Sequence, residues 1–163
     1  KVWVTDISYI ATDEGWYFLA TVKDIFTKEI VGWAAADNMK TELCTKALKN
    51  AIMRHRPPKG LIHHSDRGVQ YCSKEYQELL RKNHMICSMS RKGNCYDNAC
   101  AETFFGTIKC ELIYHEHYKT RAEAYSDIFW YIEIFYNRKR RHQALGYLSP
   151  VEFKRRYTAK LAA

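Results

Sequence analysis

The fold of this chain is decided by the segment Gly60-Leu-Ile-His-His-Ser-Asp66-Arg-Gly-Val-Gln-Tyr71. A short apolar run, Leu61 and Ile62, leads into polar residues and a carboxylate, and Gly68 follows two positions later. This pattern predicts a buried strand that presents Asp66 at its carboxyl end. In open α/β sheets, ligands bind in the crevice at the carboxyl ends of the strands. Asp66 therefore stands where a catalytic or ligand-binding acid is expected.

Three strands joined by tight turns are predicted before this segment, over residues 2–10, 16–22 and 29–36. They are rich in β-branched and aromatic residues, and their short connections predict an antiparallel meander. The apolar period then changes to that of a helix, which we expect Thr41 to cap and residues 56–60 to end. The quoted segment follows as a fourth strand.

The next part of the chain predicts one more helix and one more strand. Ser73 caps a helix that ends near residue 83, and residues 85–89 predict a short fifth strand. The polar residues 90–97 include a glycine and predict a flexible loop.

Three helices are expected after the loop. An apolar stripe predicts the first over residues 98–113, Thr120 caps the second, and Pro150 stands at the first position of a short third helix. The second helix carries four aromatic side chains that we expect in the core: Tyr125, Trp130, Tyr131 and Tyr136. We therefore expect residues 1–163 to form one α/β domain around a five-stranded mixed sheet flanked by helices.

The net charge of +8 is concentrated near the C-terminal end, where residues 120–163 hold 9 Lys or Arg against 4 Asp or Glu. This asymmetry indicates a polyanionic partner, most simply nucleic acid, although an excess of charge also serves solubility. The six cysteines form no C-x-x-C pair and no zinc-finger spacing with histidine, which favours free thiols. No signal peptide or long apolar run is present, so we expect a cytoplasmic protein without a membrane segment.

Asp6 stands in the middle of the first predicted strand. Aspartate is rare in strands, and a buried carboxylate without a partner is unfavourable, so a metal, an arginine or a backbone donor is expected beside it. A meander followed by a helix and a parallel return can pair the fourth strand with the first, which would set Asp6 beside Asp66. His63 and His64 point to opposite faces of that strand, so at most one of them faces the acids.

Glu102 lies on the helix predicted after the loop, at the edge of its apolar face. On an isolated helix, a glutamate two turns before Lys109 is most simply part of a solvent-exposed pair. Together with two aspartates on adjacent strands, it can instead complete a site for two divalent cations. Carboxylate oxygens suit Mg²⁺ or Mn²⁺, and two such ions about 4 Å apart promote in-line phosphoryl displacement.

Six short sequence motifs resemble those of a known family. They are Trp3-Val-Thr-Asp6-Ile, Gly32-Trp33, His63-His-Ser-Asp66-Arg-Gly-Val-Gln-Tyr71, Cys95-Tyr-Asp-Asn-Ala-Cys-Ala-Glu102, Tyr136-Asn-Arg-Lys-Arg-Arg-His142 and Leu145-Gly-Tyr-Leu-Ser-Pro150. In these motifs, and in the 35 residues between Asp66 and Glu102, the chain resembles the catalytic core of a DDE transposase of the OrfB type found in bacterial insertion sequences. Thr103 departs from the family pattern, in which serine is more common at this position.

The resemblance implies a ribonuclease H-like fold related to retroviral integrases, with Asp6, Asp66 and Glu102 as catalytic residues that bind two Mg²⁺ or Mn²⁺ ions. It implies hydrolysis of a phosphodiester at the end of a transposable element, after which the freed 3′-OH attacks a second phosphodiester. It also implies a homo-oligomer on DNA in a bacterial cytoplasm. We further expect the chain to be part of a longer transposase whose N-terminal DNA-binding region is absent here.

Basic residues near the three acids and beyond them are candidates for DNA contact. Lys109 matches a basic residue that contacts DNA near the active site in this family, whereas Arg67 could touch phosphate or pair with an acid. Arg91 and Lys92 give the predicted loop a basic tip, and the resemblance implies that the loop closes over DNA. A basic run supplies four further candidates for phosphate contact: Arg138, Lys139, Arg140 and Arg141.

Three functions are compatible with these residues. The first is a metal-dependent DNA transposase core, and the second is a ribonuclease H-like nuclease that cuts without joining. The third is a non-catalytic DNA-binding module derived from a transposase. The spacing of the acids and the C-terminal motifs favour a transposase over a nuclease. The presence of all three acids argues against a binding module.

Overall fold

A computed structural model of the chain describes residues 1–90 and 99–162, with the side chains of residues 99–102 excluded. Within these residues the five strands are β1 (Val2–Thr12), β2 (Gly15–Asp24), β3 (Ile30–Ala36), β4 (Ile62–Ser65) and β5 (Ile86–Met89). They form one sheet in the order β3-β2-β1-β4-β5. The pairs β1–β2 and β2–β3 are antiparallel, whereas β1–β4 and β4–β5 are parallel. The predicted five-stranded mixed sheet is therefore confirmed.

Helices flank the sheet. Those in the described residues are α1 (Thr41–His55), α2 (Val69–Cys72), α3 (Lys74–Lys82), α4 (Ala99–Glu111), α5 (Arg121–Phe129) and α6 (Pro150–Ala162). A π-helix, Trp130–Tyr136, continues α5, and short 3₁₀ turns occupy Ile113–His115 and Gln143–Leu145. A π-helix has a wider turn than an α-helix, so it changes which side chains of this segment face the sheet.

Each face of the sheet carries its own hydrophobic core. On one face, α1 and α3 bury side chains such as Leu48 and Tyr76 against Trp3 of β1. On the other face, α4, α5 and the π-helix bury side chains such as Phe104 and Ile128. The sheet is therefore the middle layer of a three-layer sandwich, and successive side chains along β1 alternate between the two cores.

Close packing between α1 and β3 depends on Gly32. A Cβ atom at this position would lie 2.5 Å from the backbone oxygen of Ala47 and 2.6 Å from the backbone nitrogen of Ala51. Both neighbours are main-chain atoms of α1 and cannot move independently of the helix. Glycine at position 32 therefore lets α1 lie directly on the sheet.

Most predicted helix boundaries are confirmed, and the exceptions have local causes. The Ser73 hydroxyl accepts the amide of Tyr76, and Thr120 forms a complete capping box with Glu123. The prediction that Thr41 caps α1 was wrong: Thr41 is the first helical residue, and Lys40 precedes it without a side-chain cap. The four-residue helix α2 was not predicted, and α6 is longer than the short helix expected.

The expectation that four aromatic residues of the C-terminal region lie in the core was half right. Tyr131 and Tyr136 are buried, whereas Tyr125 and Trp130 are 45% and 50% exposed. Trp130 stacks on Phe135, five residues later, with ring planes 8° apart. The hydrogen bonds of a π-helix join residues five apart, and both residues of this pair lie within the π-helix.

Candidate active site

The register between β1 and β4 brings Asp6 and Asp66 to neighbouring positions. Val2, Trp3 and Val4 pair in parallel with residues 62, 63 and 64. Continuing that register by two positions sets Asp6 opposite Asp66, just beyond the end of β4. Both side chains are half-buried, so the acids lie at the rim of the core and within reach of solvent.

The thiol of Cys44 is buried in the core between α1 and the sheet. Burial is the main reason that the pKa of Cys44 is raised to about 12, and the charges of Asp66 and Asp6 raise it further. A hydrogen bond with Tyr71 acts in the opposite direction. At this pKa the thiol stays protonated at neutral pH.

The backbone of the segment that follows β4 fixes one oxygen of Asp66. Its Oδ1 accepts a hydrogen bond from the backbone amide of Gly68 at 2.8 Å. A Cβ atom on Gly68 would lie 2.9 Å from the same Oδ1 and 3.1 Å from Oε1 of Gln70. The φ of Gly68 is −56°, which any residue adopts, so the glycine serves space rather than backbone freedom. On β1, Oδ1 of Asp6 accepts the amide of Ile7 at 2.8 Å.

Helix α4 lies over the face of the sheet toward which Asp6 points. Its backbone includes Glu102, and the next residue, Thr103, accepts a hydrogen bond at 3.1 Å from Nζ of Lys23 on β2. The Glu102 side chain lies outside the described residues, so its expected convergence with the aspartates stays a prediction. The helix that carries Glu102 is nevertheless held on the sheet by a contact one residue away.

The two histidines before Asp66 have different surroundings, as the alternation along a strand predicts. His63 is buried on the α3 face, where its Nε2 lies 3.0 Å from the hydroxyl of Tyr76, and burial lowers its pKa to about 4. His64 lies on the other face and contacts two hydroxyls, with Nδ1 2.9 Å from Ser88 Oγ and Nε2 3.1 Å from Ser90 Oγ. Both His64 nitrogens are therefore engaged, and His63 serves the core.

The donor groups of this site suit a hard divalent cation. Asp6 and Asp66 offer carboxylate oxygens, whereas the nearby thiol is protonated and His64 is held by two serines. Such oxygen donors are those that Mg²⁺ and Mn²⁺ prefer, and they lack the nitrogen and sulfur ligands typical of zinc. Among the side chains that the structure describes, no three acids, histidines or cysteines form a complete metal site.

The candidate DNA-binding residues near the acids have different partners. Lys109, two turns after Glu102, places its Nζ 4.9 Å from the centre of the Tyr9 ring. Arg67 is exposed, and its Nε donates to the backbone oxygen of Ser90 at 2.9 Å. Arg91 and Lys92 lie outside the described residues. Of the two predicted roles of Arg67, an ion pair with an acid does not occur among the described residues.

The basic run at the end of the π-helix divides into exposed and engaged side chains. Lys139 and Arg141 are exposed, and so is Arg138, although its Nε donates to the backbone oxygen of Glu133 at 3.0 Å. Arg140 instead forms a bidentate ion pair with Glu111 at the end of α4, with distances of 2.6 to 2.9 Å. The hydrogen bond that Arg140 donates is the main cause of the lowered pKa of Glu111. Arg140 thus ties the far end of α4 to the C-terminal region.

Comparison with known protein families identifies the architecture directly. Two models described as integrase core domain match residues 1–95 and 102–157. The chain belongs to the integrase core domain family. The first match includes the two aspartates, and the second begins at Glu102.

Curated relatives of this integrase core domain come from bacterial insertion elements. A 31 kDa protein of insertion element IS600 from Shigella sonnei is 53% identical over 96% of this chain and 58% of its own length. Transposase InsF for insertion sequence IS3A from Escherichia coli is 45% identical over 96% of this chain and 54% of its own length. The chain therefore spans little more than half the length of these relatives. Its predicted resemblance to insertion-sequence transposases is confirmed.

Solved structures with the same fold are retroviral integrase cores. The HTLV-2 integrase catalytic core, determined in complex with magnesium in a trimeric form, superposes with a TM-score of 0.71 at 16% identity over 93% of this chain and 94% of that one. The core of BIV integrase gives a TM-score of 0.64 at 13% identity over 99% and 98%. At these identities the likeness establishes the fold, which is ribonuclease H-like as predicted. Within the described residues, no helix is both long enough and apolar enough to cross a membrane.

Proposed function

We propose that this integrase core domain is the catalytic core of a DNA transposase that cuts phosphodiesters at the ends of an insertion element and joins the freed strands to a target. The observation that carries the proposal is the β1–β4 register, which sets Asp6 opposite Asp66 beneath the helix that contains Glu102. The identity of 45% to an insertion-sequence transposase over nearly the whole chain supports the same function.

Asp6, Asp66 and Glu102 would hold the divalent ions. When bound, Mg²⁺ or Mn²⁺ supplies the positive charge that activates the attacking oxygen and stabilises the leaving oxygen in phosphoryl transfer. Three carboxylates would supply enough oxygen ligands for the two ions proposed per site. The Gly68 amide donates a hydrogen bond to one oxygen of Asp66, which limits rotation of the carboxylate.

The reaction proposed for this site is two successive exchanges at phosphorus. In the first, a water oxygen attacks the phosphorus at the end of the element, the bond to the 3′ oxygen breaks, and that oxygen leaves as a hydroxyl after gaining a proton. In the second, this 3′-OH attacks another phosphodiester, loses its proton, and displaces the 3′ oxygen of that strand. Each step breaks one phosphorus–oxygen bond and makes another, so neither ATP nor a covalent protein intermediate is required.

DNA is the proposed partner, and exposed basic residues extend the contact surface beyond the acids. Lys109 stands two turns along α4 from Glu102, and Lys139 and Arg141 are exposed at the end of the π-helix. Side chains of this kind bind phosphate without reading sequence. A homo-oligomer assembled on DNA is also proposed, since the HTLV-2 core was determined in both trimeric and dimeric forms.

The products formed on labelled element-end DNA separate the three candidate functions. The full-length protein with Mg²⁺ or Mn²⁺ should yield cleaved strands that carry a 3′-OH and, later, joined strands. Cleavage without joining would favour a ribonuclease H-like nuclease, and binding without either product would favour a non-catalytic module. Substitution of Asp66 by Asn serves as the control for contaminating nucleases, because it should abolish both products.

A further inference from the structure

A lysine is buried near the end of β2, on the face of the sheet to which Asp6 points. Only 6% of Lys23 is exposed. Lys23 pairs with Val4, and Thr21, two residues earlier, pairs with Asp6. Because side chains alternate along a strand, Lys23 and Asp6 project from the same face of the sheet. Lysine is almost never buried unless its charge is compensated, so a specific role is expected for this one.

The Lys23 ammonium reaches from the sheet to α4. Its Nζ donates to Oγ1 of Thr103 at 3.1 Å, which links residues that are 80 positions apart in the sequence. Thr103 directly follows Glu102 and lies in the second turn of α4, which begins at Ala99. The far end of the helix is held separately by the Glu111–Arg140 ion pair. The Lys23 contact is thus the described polar link closest to the proposed third ligand.

We infer that Lys23 and Thr103 form a positioning pair that sets the start of α4, and with it Glu102, against the two aspartates. The inference rests on the proposed function. Packing of the neutral Thr103 hydroxyl would not by itself require a lysine. The positive charge of Lys23, on the same face of the sheet as Asp6, would also reduce the repulsion between the acids. Neither residue contacts the reacting atoms; both act through the placement of Glu102. Outer partners of this kind change metal affinity or activity by about 10- to 100-fold when they are removed.

The test compares matched threonine substitutions on one helix. Thr103→Val removes the hydroxyl with little change in shape or charge, and Thr103→Ser restores it. Thr107→Val makes the same change one turn later, where the hydroxyl bonds only to the backbone oxygen of Thr103 among the described hydrogen bonds. Each variant is titrated with Mn²⁺ alone by calorimetry, and its thermal midpoint without metal is recorded.

We expect Thr103→Val to weaken Mn²⁺ binding about tenfold while Thr103→Ser and Thr107→Val stay within about twofold of the parent. Thr103→Val removes a partner of the buried Lys23 ammonium, so its metal-free thermal midpoint should fall by a few degrees, and Thr103→Ser should restore it. The decisive arm repeats Thr103→Val in a Lys23→Met background, where its effect on Mn²⁺ affinity should vanish if the two residues act as one unit.

The outcomes distinguish this inference from the proposed function. An equal loss of affinity with and without Lys23, or no loss in Thr103→Val, would overturn the positioning pair and leave the function intact. If the parent itself bound no Mn²⁺ in a manner that Asp66→Asn abolishes, both the inference and the metal-dependent function would be wrong. Loss in Thr103→Val, recovery in Thr103→Ser and non-additivity with Lys23→Met together support the pair.

Discussion

Replacing Gly68 with alanine tests how closely the segment after β4 controls Asp66. The backbone at this position has φ −56° and ψ 146°, which alanine adopts without strain. The added methyl group would lie 2.9 Å from Oδ1 of Asp66, the oxygen that accepts the Gly68 amide. The substitution therefore presses on the Asp66 carboxylate and, at 3.1 Å, on Oε1 of Gln70, without straining the backbone.

The size of the effect follows from the distances. Ordinary van der Waals contact begins at 3.4 Å, so the carboxylate must move by about 0.5 Å to relieve the contact. Catalytic groups need placement within about 0.5 Å, and a misplacement of about 1 Å costs roughly 100-fold in rate. On a logarithmic scale, Gly68→Ala should therefore lower the rate of strand cleavage about tenfold. Its free energy of unfolding should change by less than about 1 kcal/mol.

The assay measures single-turnover cleavage of labelled element-end DNA with Mg²⁺, together with urea unfolding of the same protein. Gly106→Ala on α4 is the matched control, because no described atom outside its own helix backbone and chain neighbours lies within 4 Å of the added Cβ. That variant should keep the parental rate and gain about 1 kcal/mol in stability from the better helix propensity of alanine. A Gly68→Ala variant that cleaves at the parental rate would refute the argument that this glycine exists to make room for Asp66.

Other perturbations test the surroundings of the site. Burial lowers the pKa of His63 to about 4, so between pH 6.5 and 4 this residue is protonated in the unfolded chain but not in the folded protein. The free energy of unfolding, measured by urea titration, should therefore fall by roughly 3 kcal/mol over this range. His63→Gln should reduce this pH dependence, and an unchanged dependence would contradict the role of His63. Arg140→Met should cost about 1 kcal/mol at pH 7, after allowance for solvent screening of Glu111. Because the pKa of Glu111 is lowered, this difference should disappear in the same titrations as pH falls below about 4.5, and a constant difference would count against the ion pair. Removing the charges of Lys139 and Arg141 together should reduce the salt dependence of DNA binding, measured by fluorescence anisotropy. The slope of log affinity against log salt should fall by about 0.9 for each phosphate that is no longer neutralised. An unaltered slope would exclude both residues from the interface.

Much of the fold could be predicted because local signals and topology agree. Period-two strands, tight turns and the caps Ser73 and Thr120 defined most elements. A meander followed by a helix and a parallel strand leaves few arrangements, and the one that pairs β4 with β1 also brings Asp6 to Asp66. The acids could therefore be brought together from the sequence without any measured distance.

The features that escaped prediction depend on contacts that are distant in sequence or on small differences in local geometry. Thr41 has the chemistry of a helix cap, yet the helix begins one residue earlier than that role requires. Trp130, expected in the core as an aromatic residue, lies half exposed on the π-helix. Lys23 was not among the predicted site residues, because its place two residues from the strand partner of Asp6 is set by the β1–β2 register. Its link to Thr103 becomes visible only when α4 is placed on the sheet.

The third carboxylate is the most direct test of the central claim. The measurement is strand joining by the full-length protein on element-end DNA with Mg²⁺, for the parent and for Glu102→Gln, with DNA affinity measured in parallel. We predict that the parent cuts and joins, and that Glu102→Gln does neither while its DNA affinity stays within about twofold of the parent. Cleavage and joining by Glu102→Gln at the parental rate would contradict the account, because the site would then work without its proposed third ligand.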